Sequence, residues 1–305
     1  MNTQLLTTSI KKELWEFSNI LKWLPIVIAI LVIVMPLAIF IESNDSFAGL
    51  LELLTTLPGK FIAVEHASMV PKLFFVMALS LFAPFLAVAL IIQLYYFTAC
   101  LFDERRDLSI MFWRSLPVSD ATTVIAKLLT GALAIPAIFL GAATATLLLL
   151  LLLAFIVCII LSVGYDVSLW ALWIDADIIS GLSLIWLQLL PFTLWMLPVF
   201  AWLMLASMYA KKAPFLWAIL PVAVILLVEG VVVHYFHLSQ PVIASLLLDY
   251  FTLSQQFVES VQGQESFART VPLQALISKV DIGSVLIGIA LLYGTYWLRT
   301  HKTEV

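Results

Sequence analysis

The chain has 305 residues, 63% of them hydrophobic and 11% charged, with a mean hydropathy of +1.11. A soluble domain carries about 25% charged residues, mostly on its solvated exterior, so composition excludes a soluble fold and makes lipid the solvent for most of this surface. The net charge of -4 names no partner, and no basic tract points to nucleic acid.

In chain order, residues 1–22 come first as a cytoplasmic segment. Ile10, Leu14, Phe17 and Leu21 fall on one helical face, with Lys11, Lys12, Glu13 and Glu16 elsewhere. This predicts an amphipathic helix over 9–21, lying in the membrane interface or extending the first span into the cytosol. The run 23–41 ends in Phe40-Ile41-Glu42 without a small-x-small site. It is therefore expected to remain as a span rather than be cleaved as a signal peptide.

A helix needs about 20 apolar residues to cross the hydrocarbon core. Six segments meet that requirement: 23–41, 73–102, 124–163, 178–210, 213–236 and 282–298. The third would be about 60 Å long, twice the core thickness. Pro136 and Gly141 offer a break in it, but no polar turn accompanies them, so one long helix is expected. Pro191 and Pro198 should bend the fourth. An outer loop, 42–72, separates the first two spans, and Asp166, Asp175 and Asp177 read as solvated acids between spans three and four. The outer segment 237–281 holds a mostly apolar stretch, Pro241 to Val258, interrupted by Asp249, Gln255 and Gln256. It is too polar to span and too apolar for free solution, so a re-entrant or outer-leaflet helix is expected. Residues 299–305 form the tail.

Orientation follows from lysine and arginine in the short connections. Eleven of the fifteen fall on one side under this six-span scheme: Lys11, Lys12, Lys22, Arg105, Arg106, Arg114, Lys127, Lys211, Lys212, Arg299 and Lys302. That side is expected to be cytoplasmic, with both termini on it. Cys100 and Cys158 then lie near opposite faces and read as small buried apolar residues, not a disulfide.

The connection between spans two and three, 103–120, places four acids and three arginines around an apolar centre, Ile110 to Trp113. Leu116-Pro117-Val118-Ser119 makes a turn, and Ser119 or Asp120 can cap the helix after it. This predicts a short amphipathic helix along the membrane. Its tip, Phe112 and Trp113, suits either a groove on a partner protein or the lipid headgroups.

Inside the spans, Glu229 is the clear ionisable residue, about 6 Å outward of the fifth span's centre. Such a residue is a candidate for a substrate path or an inter-span lock; the plainer reading is a structural, hydrogen-bonded carboxyl near His234. Gln93 and Gln188 read as interhelical hydrogen bonds. Phe192, Trp195 and Trp202 share one face of the fourth span and could line a path for an amphiphile, or simply pack. No catalytic set is assembled, and no metal-ligand spacing occurs among the histidines and cysteines.

The stretch after span two resembles that of ABC-2 type permeases, the membrane-spanning subunits of ATP-binding-cassette exporters. The resemblance rests on Glu104-Arg105 at its start, Ser109 near the threonine place, the Leu116-Pro117-Val118-Ser119 turn, and Lys127 at the lysine place. Asp107-Leu108 stands where the family has Gly-Thr. The six-span layout, the amphipathic N-terminal helix and the outer inserted segment are also similar. The resemblance implies that 103–120 is a coupling helix docked on a separate ATPase, with Glu104, Arg105, Arg106, Phe112, Trp113, Arg114, Pro117 and Ser119 at the contact. It implies two ATPase copies binding ATP and Mg, a second permease copy (identical or a close paralogue), and a bacterial cytoplasmic (inner) membrane. Phe192, Trp195, Trp202 and Glu229 would be the residues of the substrate path. Consistent with this, the chain has no G-x-x-x-x-G-K-S/T phosphate loop, so it is expected to be a transport subunit without an ATPase site or cofactor of its own. An ion-coupled secondary transporter is the alternative, although such proteins carry several intramembrane charges and internal repeats.

Overall fold

The computed structural model describes residues 3–42, 69–107, 118–164, 173, 177–236, 241–252 and 271–301. Within them the regular structure is helical. In order the helices are α1 (Thr3–Glu16), α2 (Ser18–Glu42), α3 (Met69–Ala99), α4 (Phe102–Arg106), α5 (Asp120–Leu129), a π-helical turn (Thr130–Ala134), α6 (Ile135–Gly164), α7 (Ile178–Leu187), α8 (Leu189–Tyr209), α9 (Pro214–Tyr235), α10 (Val242–Phe251), α11 (Val271–Lys279) and α12 (Ile282–His301). Six stretches are long and apolar enough to cross a membrane: Ser18–Met35, Phe74–Arg106, Asp120–Gly164, Ile178–Tyr209, Pro214–Tyr235 and Ile282–His301. This is the arrangement lipid demands, since a helix satisfies its own backbone polar groups.

Span two forms the seam of the bundle. Phe75, Ala78, Phe82, Phe85, Ala89, Ile92 and Tyr96 are all buried, and they alternate at spacings of three and four. That is the heptad spacing of knobs-into-holes packing. Phe97 stacks on Phe200 of α8 with centroids 4.6 Å apart. Helices α8 and α12 approach closely at Gly288, where a Cβ would lie 2.9 Å from Leu197 Cγ and 3.2 Å from the Pro198 nitrogen. A small residue is needed for two helices to approach this closely. Span five is the least embedded, with only Ala218 buried.

The third span is continuous from Asp120 to Gly164, as expected, but it is not uniformly α-helical. Ile135 donates its N–H to the Thr130 carbonyl, five residues back. The next donor should be residue 136, but Pro136 has no N–H. The carbonyls four and five residues before it, Ala132 and Gly131, are the ones a proline leaves short. Both are served from outside the helix: Gln93 Nε2 donates to Gly131 at 2.9 Å, and Thr193 Oγ1 to Ala132 at 3.1 Å. Pro136 therefore explains the π turn, and Gln93 is the interhelical bond expected of it. Gly141 lies inside α6 and breaks nothing.

Two boundaries differ from expectation. The N-terminal helix begins at Thr3 and ends at Glu16, and the spanning helix starts at Ser18 rather than Trp23. The fourth span is interrupted at Gln188. Pro191 cannot donate to the Leu187 carbonyl, and the Gln188 N–H turns back to Ile185 instead, so the helix resets there. The segment between spans five and six contains α10 and α11. The Tyr250 hydroxyl of α10 donates to the Trp195 carbonyl, halfway along span four, so this segment reaches well down the bundle.

Candidate functional site

The most concentrated chemistry lies at the end of the bundle where α1, α4, the start of α5 and the end of α12 meet. Lys127, 2% exposed, donates to both Glu13 oxygens at 3.0 and 2.9 Å and lies 3.1 Å from Glu104 Oε1. Arg299, 1% exposed, donates from Nη1 to Glu104 Oε2 at 3.0 Å and from Nε to Asp120 Oδ1 at 2.8 Å. Tyr96 Oη donates to Glu13 Oε2 at 3.0 Å. Lys12 closes the outer edge at 3.1 Å from Glu13 and 3.5 Å from Glu104. Three cations thus face three carboxylates, and the charges alternate along the chain Asp120, Arg299, Glu104, Lys127, Glu13. Burial of any one of these charges alone would be prohibitive; as a neutral, hydrogen-bonded set they hold each other in place.

A second clamp adjoins the first. Arg105 Nη2 donates to the Ser207 and Ala210 carbonyls, both at 2.7 Å. These are the orphan carbonyls at the C-terminal end of α8, where a cation is also favoured by the helix dipole. Ser207 Oγ in turn accepts from the Leu101 and Phe102 N–H groups at 3.2 and 2.9 Å. The five-residue α4 is therefore fastened on one side to α1, α5 and α12 and on the other to α8.

Of the residues assigned to docking, Glu104 and Arg105 are turned into the chain. Glu104 is 6% exposed with its carboxylate shared between Lys127 and Arg299, so it shapes the segment from within and presents no free charge to a partner. Arg106 is exposed and paired with Asp103 and Asp107 at 3.4 and 3.1 Å. Ser119 is the expected cap: its Oγ accepts from the Thr122 N–H at 3.2 Å. Phe112, Trp113, Arg114 and Pro117 lie outside the described residues.

The path residues do not form one wall. Phe192 and Trp195 pack edge-on at 6.3 Å, and Trp195 lies 6.0 Å from Tyr250 of α10. Trp202 points elsewhere and donates its indole N–H to the Ala218 carbonyl of α9 at 3.0 Å. Glu229 accepts the Ile243 and Ala244 backbone N–H groups, the latter at 2.8 Å. It caps the N-terminus of α10 and so ties span five to the segment between spans five and six. Both cysteines are free and buried.

Sequence reasoning passed over Glu13. Expected off the apolar face of α1, it is 3% exposed. The signal was present: Ile10, Glu13, Leu14 and Phe17 stand at i, i+3, i+4 and i+7, so Glu13 is a charge on the apolar stripe, and a buried charge needs a partner. No protein-family model, curated protein or solved structure matches this chain.

Proposed function

We propose that the chain is the permease subunit of an ABC-2 type ATP-binding-cassette exporter, working as a pair of permease chains with two separate ATPase subunits that bind ATP and Mg. The observation that carries this reading is the double fastening of α4. The connection between spans two and three begins with a turn that is ion-paired to α1 and to the ends of the third and sixth spans, and bonded to the fourth. A load applied to residues 107–119 by a partner would therefore reach most of the bundle at once. A connection that only linked two spans would not need this.

In this reading Glu104 and Arg105 set the position of the coupling segment, while Phe112 and Trp113 make the contact. The end of the bundle carrying α1, α4 and the end of α12 is the cytoplasmic end, in accord with the lysine and arginine count. Span five, exposed along most of its length, offers its apolar face to the second permease copy. Glu229 belongs to an outer lock between span five and α10.

The test is isolation of the tagged chain from its own host membranes in mild detergent. The expected result is a co-purifying ATPase with a phosphate loop, whose hydrolysis rate changes when the permease is present. A chain that purifies alone and, in proteoliposomes, moves solute on a proton or sodium gradient would overturn the reading in favour of a secondary transporter.

A further inference from the structure

A cavity of about 280 Å³ lies between α3, α6, the α7–α8 junction and α11, lined by residues that include Leu86, Ala87, Gln93, Leu140, Gln188 and Leu276. Its position is deep. Gln93 stands nine residues from Phe102, about 14 Å along the helix, and Gln188 ten residues from Ile178, about 15 Å; half the hydrocarbon core is also about 15 Å. Among the described residues the lining contains no charged side chain. Its two polar side chains differ in their circumstances. Gln93 spends its amide on the π turn. The Gln188 amide nitrogen is buried and has no hydrogen-bond partner among the described residues. Gln188 lines the cavity at the point where span four is interrupted. A second buried donor without a partner among the described residues is the Trp195 indole N–H; Trp195 is 9% exposed and packs on Phe192, another lining residue.

An unpaired buried donor costs about 1–3 kcal/mol, and at mid-membrane depth bulk water is not at hand to relieve it. Buried polar groups in native proteins almost always have a partner, and here the described residues supply none. Apolar walls exclude a charged ligand, while an N–H donor selects an acceptor oxygen. We propose that this cavity is a binding site for a neutral hydrophobic molecule that carries a carbonyl oxygen, entering from the bilayer, with Gln188 as the donor that fixes it. The site lies within a single chain and does not depend on the exporter reading.

Benzophenone is a suitable probe, being a neutral aryl ketone that inserts into nearby C–H bonds under near-ultraviolet light. The purified full chain in detergent is irradiated with it, and the labelled peptides are located by mass spectrometry. Saturable labelling is expected on the stretch 86–93 and around Leu140. Gln188→Leu, which keeps the bulk and removes the donor, should lower labelling at sub-saturating probe about fivefold, the worth of one hydrogen bond. Ala87→Phe should block the site from its exposed rim. Diphenylmethane, the same two rings without the oxygen, should compete poorly. Labelling spread evenly over the exposed residues of α9, or equal competition by diphenylmethane, would overturn the proposal. So would a cavity that holds only water, which gives no saturable labelling. If Gln188→Leu fails to fold, Ala87→Phe decides: undiminished labelling there also refutes the site. No ATPase is needed, so the outcome is independent of whether the chain is an exporter subunit.

Discussion

The Lys127 ammonium lies 2.9 Å from the Glu13 carboxylate, across 114 residues of chain, and both groups are buried. The contact ties the N-terminal helix to the root of the third span, and Glu104 completes it from the second connection. Lys127→Met would leave Glu13 and Glu104 as adjacent buried anions. Removing one partner of a buried pair costs about 3–5 kcal/mol. The expected result is a large drop in the thermal unfolding midpoint in detergent, or loss of folded protein. The double change Lys127→Met with Glu13→Gln should recover part of that loss, because Tyr96 can still donate to the amide oxygen. Equal stability of the single and double variants would show that the pair is not coupled.

The π turn supports a second prediction. A Cβ at Gly131 would lie 2.4 Å from the Phe97 ring, which is fully buried against Phe200. Gly131→Ala should therefore destabilise by about 1–3 kcal/mol, the range for overpacking a close-packed site. Phe97→Leu should be costly alone through its cavity, yet combined with Gly131→Ala the two losses should be less than additive. Thermal unfolding of the four proteins reads this cycle, and strict additivity would contradict the close approach.

The six spans were legible because crossing lipid leaves a length and composition signature that survives without any packing detail. The seam of span two was not. Phe75, Phe82, Phe85 and Tyr96 repeat with a heptad spacing, but Phe74, Val76, Met77 and Ile91 between them are equally apolar. Lipid is as acceptable to them as a neighbouring helix, so hydropathy does not mark the buried face. The ion network was half legible. Lys127 and Glu104 stand out through a resemblance, whereas Asp120 reads as a candidate helix cap and Arg299 as one charge of the cytoplasmic set. Nothing local indicates that two residues 179 apart are bonded. Proline gave the most local information: Pro136 and Pro191 each mark the irregular turn that precedes them.

Glu229 gives a prediction about the outer segment. Its carboxylate holds the first N–H groups of α10, so Glu229→Leu should release that end of the helix. The Ile243 and Ala244 amides should then exchange with deuterated solvent several times faster, while the amides of α12 are unchanged. Glu229→Gln retains one acceptor and should fall between. If the path role is correct instead, Glu229→Gln should alter transport while leaving those exchange rates as they were.

The last prediction separates holding the coupling segment from contacting the partner. In the proposed exporter, Trp113 would make the contact as an aromatic anchor. Truncating such an anchor costs about 2 kcal/mol, roughly thirtyfold in affinity. Trp113→Ala should therefore release the ATPase subunit in detergent pull-downs while the permease folds normally. Arg105 is turned into the bundle. It is bonded to the Ser207 and Ala210 carbonyls, so Arg105→Gln removes the charged link between α4 and span four without touching the contact. Ser207 and Ala210 are buried, but the glutamine amide can still donate to one of their carbonyls, so the variant is expected to fold with reduced stability. The complex should then assemble with affinity within about twofold of the parent, since no anchor is lost. Movement of the coupling segment would no longer be passed to span four, so the permease-dependent change in ATP hydrolysis should shrink. The discriminating pair of measurements is ATPase retention and ATPase rate. If Trp113→Ala retains the subunit and Arg105→Gln releases it, the roles assigned to the two residues are reversed. If neither variant changes either quantity, residues 103–120 do not couple this chain to an ATPase.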